Sequence, residues 1–265
     1  MGCRSEEVTY AARSGEVVSR ADYLRGRLSS FQRRVQRALQ LIDEAAHRGP
    51  IGVAFSGGKD STVLLHLVRL VVPDAIACFY DDGAQLRQTY ELIEATPNVW
   101  RYTVTPSLIE MCRLGNYWGH EGGDDAASFD FGEKLIFEPA RAAVRELGLA
   151  VMGLGLRASE SAGRYFNARR QGEMYRHEGD QVWHLCPLQF WSADDIWAYV
   201  AVSGAAYNRA YDEMARLGLK REEMRVSCVL GADAVGFGRY AYLKQLDPPL
   251  WNRLCAEFPR LTAYV

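Results

Sequence analysis

From Arg20 onward, Leu24, Leu28, Phe31, Val35, Leu39, Ile42 and Ala46 recur at intervals of three or four residues, a spacing that lays one apolar stripe along a helix ending at the Gly49-Pro50 breaker. After Pro50 the pattern changes to short apolar runs separated by helical stretches, the mark of β-α-β units and a parallel sheet. Strands are predicted at Ile51 to Phe55, Ala75 to Tyr80, Trp100 to Val104 and Ala150 to Leu154. Helices are predicted at Ser61 to Val71, Gln85 to Ala95 and Phe131 to Leu147. The polar interval Gly115 to Asp130 reads as a long loop of the kind that often forms lids or binding loops. Ser192, followed by Asp194 and Asp195, is an N-cap candidate for a helix through Val202. Beyond Arg239, helix-like pieces alternate with prolines at 248, 249 and 259.

Composition narrows the function. The net charge of −2 leaves no whole-surface field for polyanions and excludes histone-like, purely electrostatic DNA binding. An apolar share of 48% supplies a full core. The longest apolar stretch, Val63 to Tyr80, is broken by His66, Arg69, Pro73 and Asp74, so no membrane helix is expected. Residues 1 to 7 lack a signal-peptide core, and a cytoplasmic protein is the expectation. Cysteines at 3, 78, 112, 186, 228 and 255 form no C-x-x-C pair, and reduced thiols follow. Arg20, Arg25, Arg27, Arg33, Arg34 and Arg37 line the polar face of the first helix, either as a solvated surface or as a contact for nucleic acid or a partner.

The sharpest local signal is Ser56-Gly57-Gly58-Lys59-Asp60-Ser61, set between a strand and a helix. Glycines admit a phosphate close to the backbone, and amides at a helix start complement its charge. It is no Walker A loop, because Val53 stands where that motif needs glycine and Asp60 where it needs Ser or Thr. A G-x-G-x-x-G is also missing, which disfavours a dinucleotide fold. Five guanidinium groups, on Arg157, Arg164, Arg169, Arg170 and Arg176, crowd one short stretch with Glu160 and Glu173, a density suited to bidentate phosphate or sulfate recognition. Arg157 and Arg164 are the expected ligand contacts. Arg169, Arg170 and Arg176 fit a solvated face equally well. Trp191, Trp197 and Tyr199 are expected in the core, and His177 and His184 receive no role.

The segment Ser56 to Ser61 resembles the PP-loop of the N-type ATP pyrophosphatase and adenine nucleotide alpha hydrolase-like superfamily. Asp81-Asp82-Gly83 with Thr89-Tyr90-Glu91 is similar to a segment of its phosphoadenylylsulfate (PAPS) reductase branch, as are Gly155-Leu156-Arg157 with Glu160, Ser161 and Arg164. Pro187-Leu188, Trp191, Asp195-Ile196-Trp197 and Tyr199, then Tyr207-Asn208 and Tyr211, continue that order. The resemblance implies an α/β fold: a three-layer, parallel-sheet, HUP-like domain over 50–230, with a lead-in and amphipathic helix over 1–49 and a mostly helical extension over 231–265. It implies that Ser56, Gly57, Gly58, Lys59, Asp60, Ser61, Asp81, Gly83, Gly155 and Arg157 bind the nucleotide. Asp60, Lys59, Arg157 and Arg164 are the implied catalytic set, Asp60 and Asp81 the implied Mg²⁺ ligands. Lys134 stands where the family often carries lysine, and a surface helix lysine is the other reading.

Departures from that pattern set the expected chemistry. The family's reductases attack sulfur with a cysteine in a C-terminal E-C-G-[IL]-H segment, whereas this sequence ends Pro259-Arg260-Leu261-Thr262-Ala263-Tyr264-Val265. Paired cysteines for an iron-sulfur cluster are missing, so none is expected. Arg225-Val226-Ser227-Cys228-Val229-Leu230-Gly231 resembles R-x-G-C-x-x-C with its second cysteine replaced, which leaves Cys228 as a buried remnant or as the remaining redox thiol. The first expectation is an ATP- and Mg²⁺-dependent enzyme that adenylates an acceptor and releases pyrophosphate, with FMN adenylylation a weaker variant. Its acceptor could be a nucleobase or nucleic acid, its sulfur donor a cysteine desulfurase, and its state a homodimer. The alternatives are a sulfonucleotide reductase-like enzyme working through Cys228 or a partner's thiol, and a non-catalytic nucleotide-binding subunit.

Overall fold

The computed structural model describes residues 16–117, 129–227 and 239–264. Six strands form one sheet: β1 (Ile51–Ala54), β2 (Ile76–Asp81), β3 (Val99–Thr103), β4 (Val151–Gly153), β5 (Met174–Arg176) and β6 (Trp183–Leu185), in the spatial order β3-β2-β1-β4-β6-β5. All neighbours run parallel except the β5–β6 hairpin at the edge. The order reverses beside β1, so the loops after β1 and β4 open a crevice at the carboxyl edge of the sheet, where ligands of open α/β sheets sit.

Strand alternation sorts side chains into two layers. Val53, Ala77, Phe79, Val151 and Leu185 face the larger core, shared with α2 (Ser29–Ala46), α3 (Lys59–Val71) and α8 (Ala193–Ser203). Cys78 and Met152 face the other way, against Ala143 of α6 (Glu138–Leu147) and Leu149. Gly52 leaves room for this layer, since a Cβ there would stand 2.5 Å from Leu149 Cδ1 and the leucine would have to shift. Helices therefore cover both faces, as expected for the three-layer fold. Four further helices are α4 (Arg87–Ala95), α5 (Leu108–Leu114), α7 (Ala162–Gln171) and α9 (Ala210–Arg216). Near the C-terminus, α10 (Arg239–Leu246) and α11 (Pro248–Glu257) add Tyr240, Leu243 and Leu254 to the larger core. A π-helical turn, Glu133–Phe137, leads into α6.

The stripe expected on one N-terminal helix is divided between two. α1 (Arg20–Gly26) stops before α2 begins, and Leu24 and Leu28 lie exposed at 55% each. Packing is the cause: a Cβ on Gly26 would meet Val202 Cγ1 at 2.4 Å, so α1 lies hard against α8 and the chain must turn. In α2 the buried residues are Phe31, Ala38, Leu41, Ile42 and Ala45, a face rotated from the stripe read in the sequence. The arginine face is partly spent inside the molecule. Arg25 and Arg34 each reach Asp195 at 2.8 Å, and Arg37 pairs with Glu173. Ser192 caps α8 as predicted, with Asp195 completing a capping box. Trp191, Trp197 and Tyr199 are buried. No helix among the described residues is long and apolar enough to cross a membrane.

Candidate functional site

The Ser56-to-Ser61 loop follows β1 and ends inside the first turn of α3. Gly57 takes φ +68°, a left-handed backbone that glycine alone adopts freely, and a Cβ there would stand 3.0 Å from Thr89 Cγ2. Gly58 is the helix N-cap and has no side-chain cap, so the first-turn amides have no carbonyl one turn back and point toward the loop's mouth. Lys59 N–H donates to the Tyr211 hydroxyl at 3.1 Å. The Ser61 hydroxyl donates to Gly58 O at 3.0 Å and lies 3.3 Å from Ser56 Oγ.

Behind this cradle sits a buried charge network. Asp60 Oδ1 accepts from Arg157 Nε at 2.6 Å and Oδ2 from Lys59 Nζ at 3.0 Å. Both cations are almost fully enclosed, the Lys59 side chain 2% exposed and that of Arg157 5%. Burial lowers the Lys59 ammonium from its ordinary range; Asp60 opposes that shift, and the nearby Arg157 and Arg225 add to it. Arg157 also donates to Ser159 Oγ at 3.1 Å and to Glu160 Oε1 at 3.4 Å. Glu160 in turn pairs with Arg164, whose side chain is 46% exposed. The implied catalytic set is thus a chain that runs from the loop outward: Lys59, Asp60 and Arg157 meet at the loop, and Arg164 stands at the exposed end.

Gly155 packs closely against the loop. A Cβ there would lie 2.9 Å from Ser61 N and 3.0 Å from Asp60 C, so it lets β4 run directly beneath the PP-loop. Gly83 takes φ +80° and donates its N–H to Asp81 Oδ1 at 3.0 Å. Asp81 also accepts from Tyr90 Oη at 2.7 Å and from Arg101, through Nε at 3.1 Å and Nη2 at 2.5 Å. Burial alone would raise the Asp81 carboxyl, but Arg101, Tyr90 and the Gly83 amide outweigh it and hold the group below its usual range. As arranged, the oxygens of Asp60 and Asp81 all face hydrogen-bond donors, four of the partners being cationic nitrogens. The pair therefore does not fit a Mg²⁺ ion unless those side chains move.

Arg101, on β3, carries no motif and was not among the expected site residues; the Tyr90 segment was the available clue. Tyr211, quoted only as part of a pattern, turns out to brace the loop. Asn208 donates to Thr89 Oγ1 at 2.9 Å, buried behind Gly57. Lys134 pairs with Glu138 at 2.8 Å on the surface. Arg169, Arg170 and Arg176 are exposed. The thiols of Cys78 and Cys186 are pushed up to about 12 and that of Cys112 to about 11, each by burial. Cys255 is also raised by burial. Cys228 lies outside the described residues, but Val226, two positions before it, packs on the PP-loop: its Cγ2 would stand 3.8 Å from a Cβ on Gly58.

Comparison with known proteins places this geometry. A family model described as the phosphoadenosine phosphosulfate reductase domain matches residues 50–220. A phosphoadenosine 5'-phosphosulfate reductase of Xanthomonas axonopodis pv. citri is 28% identical over 190 residues, 67% of this chain and 73% of the relative. A protein of the same name from Synechococcus sp. is 26% identical over 187 residues, 67% of this chain and 77% of the relative. The solved PAPS reductase of Candida auris, a phosphate complex, superposes with a TM-score of 0.50 at 19% identity, over 72% of this chain and 91% of that one. The protein described here belongs to the phosphoadenosine phosphosulfate reductase domain family.

Proposed function

We propose that this chain binds a sulfonucleotide of the phosphoadenylylsulfate class at its PP-loop and acts as a reductase-like enzyme with Cys228 as its thiol. The observation that carries this reading is the enclosed Lys59–Asp60–Arg157 cluster beside the uncapped first turn of α3, an arrangement suited to an anionic ligand, with Cys228 assigned from the sequence pattern Arg225 to Gly231. Lys59 and Arg157, both enclosed, give the loop a positive field suited to the sulfate and phosphate groups of such a ligand. The Cys228 thiolate would attack the sulfate sulfur. The bond from sulfur to the bridging phosphate oxygen breaks, and its electrons leave on the nucleotide phosphate, neutralised by the first-turn amides and Arg157. The cysteine S-sulfonate so formed releases sulfite when an external thiol, the electron donor, attacks it. The curated relatives named above support this assignment.

A second reading keeps ATP as the ligand and an acceptor oxygen as the nucleophile, releasing pyrophosphate. It is favoured by the cysteines among the described residues, since burial raises the thiols of Cys78, Cys112, Cys186 and Cys255 and leaves none of these activated as a nucleophile. Asp60 and Asp81 could hold Mg²⁺ there once their arginine and lysine partners turn to the phosphates. The ion would neutralise charge on the leaving pyrophosphate. A nucleobase acceptor and a sulfur-donor protein belong to this reading alone.

Calorimetric titration of PAPS, and of ATP with Mg²⁺, into wild type, Asp60→Ala and Cys228→Ser separates the two. The expected result is a preference of at least about tenfold for PAPS (about 1.4 kcal/mol). Asp60→Ala loses that binding, and Cys228→Ser keeps binding but forms no S-sulfonate by mass spectrometry. Preference for ATP with release of pyrophosphate would reverse the assignment.

A further inference from the structure

At the opposite edge of the sheet, the turn between β5 and β6 gathers three side chains that the nucleotide site does not use. Asp180 places one carboxylate oxygen 3.0 Å from His177 Nδ1 and the other 2.9 Å from His184 Nε2. The two imidazoles are stacked with centroids 4.3 Å apart and planes 9° from parallel. One ligand atom from each residue lies within 4.8 Å of the other two.

The turn is shaped for this convergence. Gln181 takes φ +60°, an uncommon backbone for a non-glycine residue, and a Cβ on Gly179 would stand 2.9 Å from His177 Cε1. His184 Nδ1 lies 3.4 Å from the Tyr175 hydroxyl, the kind of outer contact that orients a ligating imidazole. The Tyr80 hydroxyl, within electrostatic reach of Asp180, is buried with no hydrogen-bond partner among the described residues. Arg141, whose charge also feels Asp180, is paired with Glu133.

We propose that His177, Asp180 and His184 form a binding site for one divalent transition-metal ion of the zinc class, a clip across the β5–β6 hairpin. Two imidazoles and one carboxylate make a donor set suited to zinc, cobalt or ferrous iron and unsuited to Mg²⁺ or Ca²⁺, which take oxygen. Tetrahedral ligands about 2 Å from zinc stand roughly 3.4 Å apart, so a small inward movement of the three residues completes the site. The ion replaces the two imidazole-to-carboxylate hydrogen bonds and fastens the three-residue edge strand β5 to β6. It lies where β6 begins, whereas the PP-loop lies where β1 ends, so it takes no part in nucleotide binding.

The test uses the full chain, stripped with a chelator and titrated with Co²⁺. One equivalent is expected to bind, giving the visible bands of a nitrogen and oxygen site without the intense near-ultraviolet bands of thiolate ligation. Zn²⁺ should displace it and raise the melting temperature. His177→Gln, which alters a partly exposed side chain, and Asp180→Asn should each weaken Co²⁺ at least about tenfold, with circular dichroism and PAPS affinity unchanged. No saturable uptake, thiolate bands, or uptake unaffected by both substitutions would overturn the site. Failure of the wild-type chain to bind PAPS, with metal uptake intact, would strike the proposed function instead.

Discussion

Asp60, half-buried, and Asp195, buried, are both carboxylates at the start of a helix, and each is held by two cations, yet their surroundings differ. Asp195 completes the cap of α8 and is gripped by Arg25 and Arg34, whose side chains are 38% and 47% exposed. Every oxygen contact of Asp195 ties one part of the chain to another. Asp60 is held by Lys59 and Arg157, both enclosed, beside amides that no carbonyl satisfies. With Glu160 and the exposed Arg164 included, three cations meet two carboxylates, and the surplus positive charge is costly where it is enclosed unless an anion joins it. The cations at Asp195 keep their contact with water, whereas those at Asp60 are enclosed and stand to gain most from a further anion.

The largest effect should come from breaking the Asp60 cluster. Arg157→Ala removes an enclosed guanidinium from the half-buried Asp60 and Glu160 carboxylates and should cost about 2 kcal/mol of stability by urea denaturation. PAPS affinity should fall at least about a hundredfold, or about 2.7 kcal/mol. Asp60→Asn sharpens the point through pH. The Lys59 pKa is already lowered by burial, and Asp60 is what props it up. Removing that charge lowers the pKa further, so the variant should lose anion affinity, as pH rises, at a lower pH than wild type does. Calorimetry across a pH series reads this directly, and parallel profiles for the two proteins would refute it.

Asp195→Asn should behave in the contrary way. It loses two ion pairs and weakens a cap, and about 2 kcal/mol of stability should go with PAPS affinity unaltered. Burial opposes the charge on Asp195, but the Ser192 amide and hydroxyl and Arg25 outweigh it and lower the pKa from 3.8. Its folded-state pKa being lowered, the stability it confers is present above 3.8 and lost as pH falls through the lowered value. Acid titration of stability should therefore be shallower in the variant.

How much of this could be read in advance follows from the range of each interaction. The strands, the PP-loop and the Ser192 cap are local patterns of a few residues, so the sequence displays them. Gly155 was visible as a motif, but its reason, contact with Ser61 across the chain, was not. The break between α1 and α2 depends on Gly26 meeting Val202, and the Arg101 to Asp81 pair on two neighbouring strands; neither leaves a periodic trace. The spacing of His177, Asp180 and His184 became meaningful only when the hairpin folded them together. Long-range contacts, steric and polar, were the hidden part, and the polar ones decide which arginine reaches the Asp60 carboxylate.

Arg164 is where that distinction gives its smallest and most discriminating prediction. In sequence it stands level with Arg157, in the same motif and beside the same Glu160. In space it is 46% exposed and bound only to Glu160 in that network, while Arg157 reaches Asp60 itself. An exposed pair four residues apart contributes about 0.5 kcal/mol at most. Arg164→Ala should therefore leave the urea midpoint nearly unchanged and lower PAPS affinity less than about threefold, or about 0.7 kcal/mol. If its loss instead matched that of Arg157, Arg164 would have to swing inward on binding, and the outer end of the network would be part of the ligand's cage.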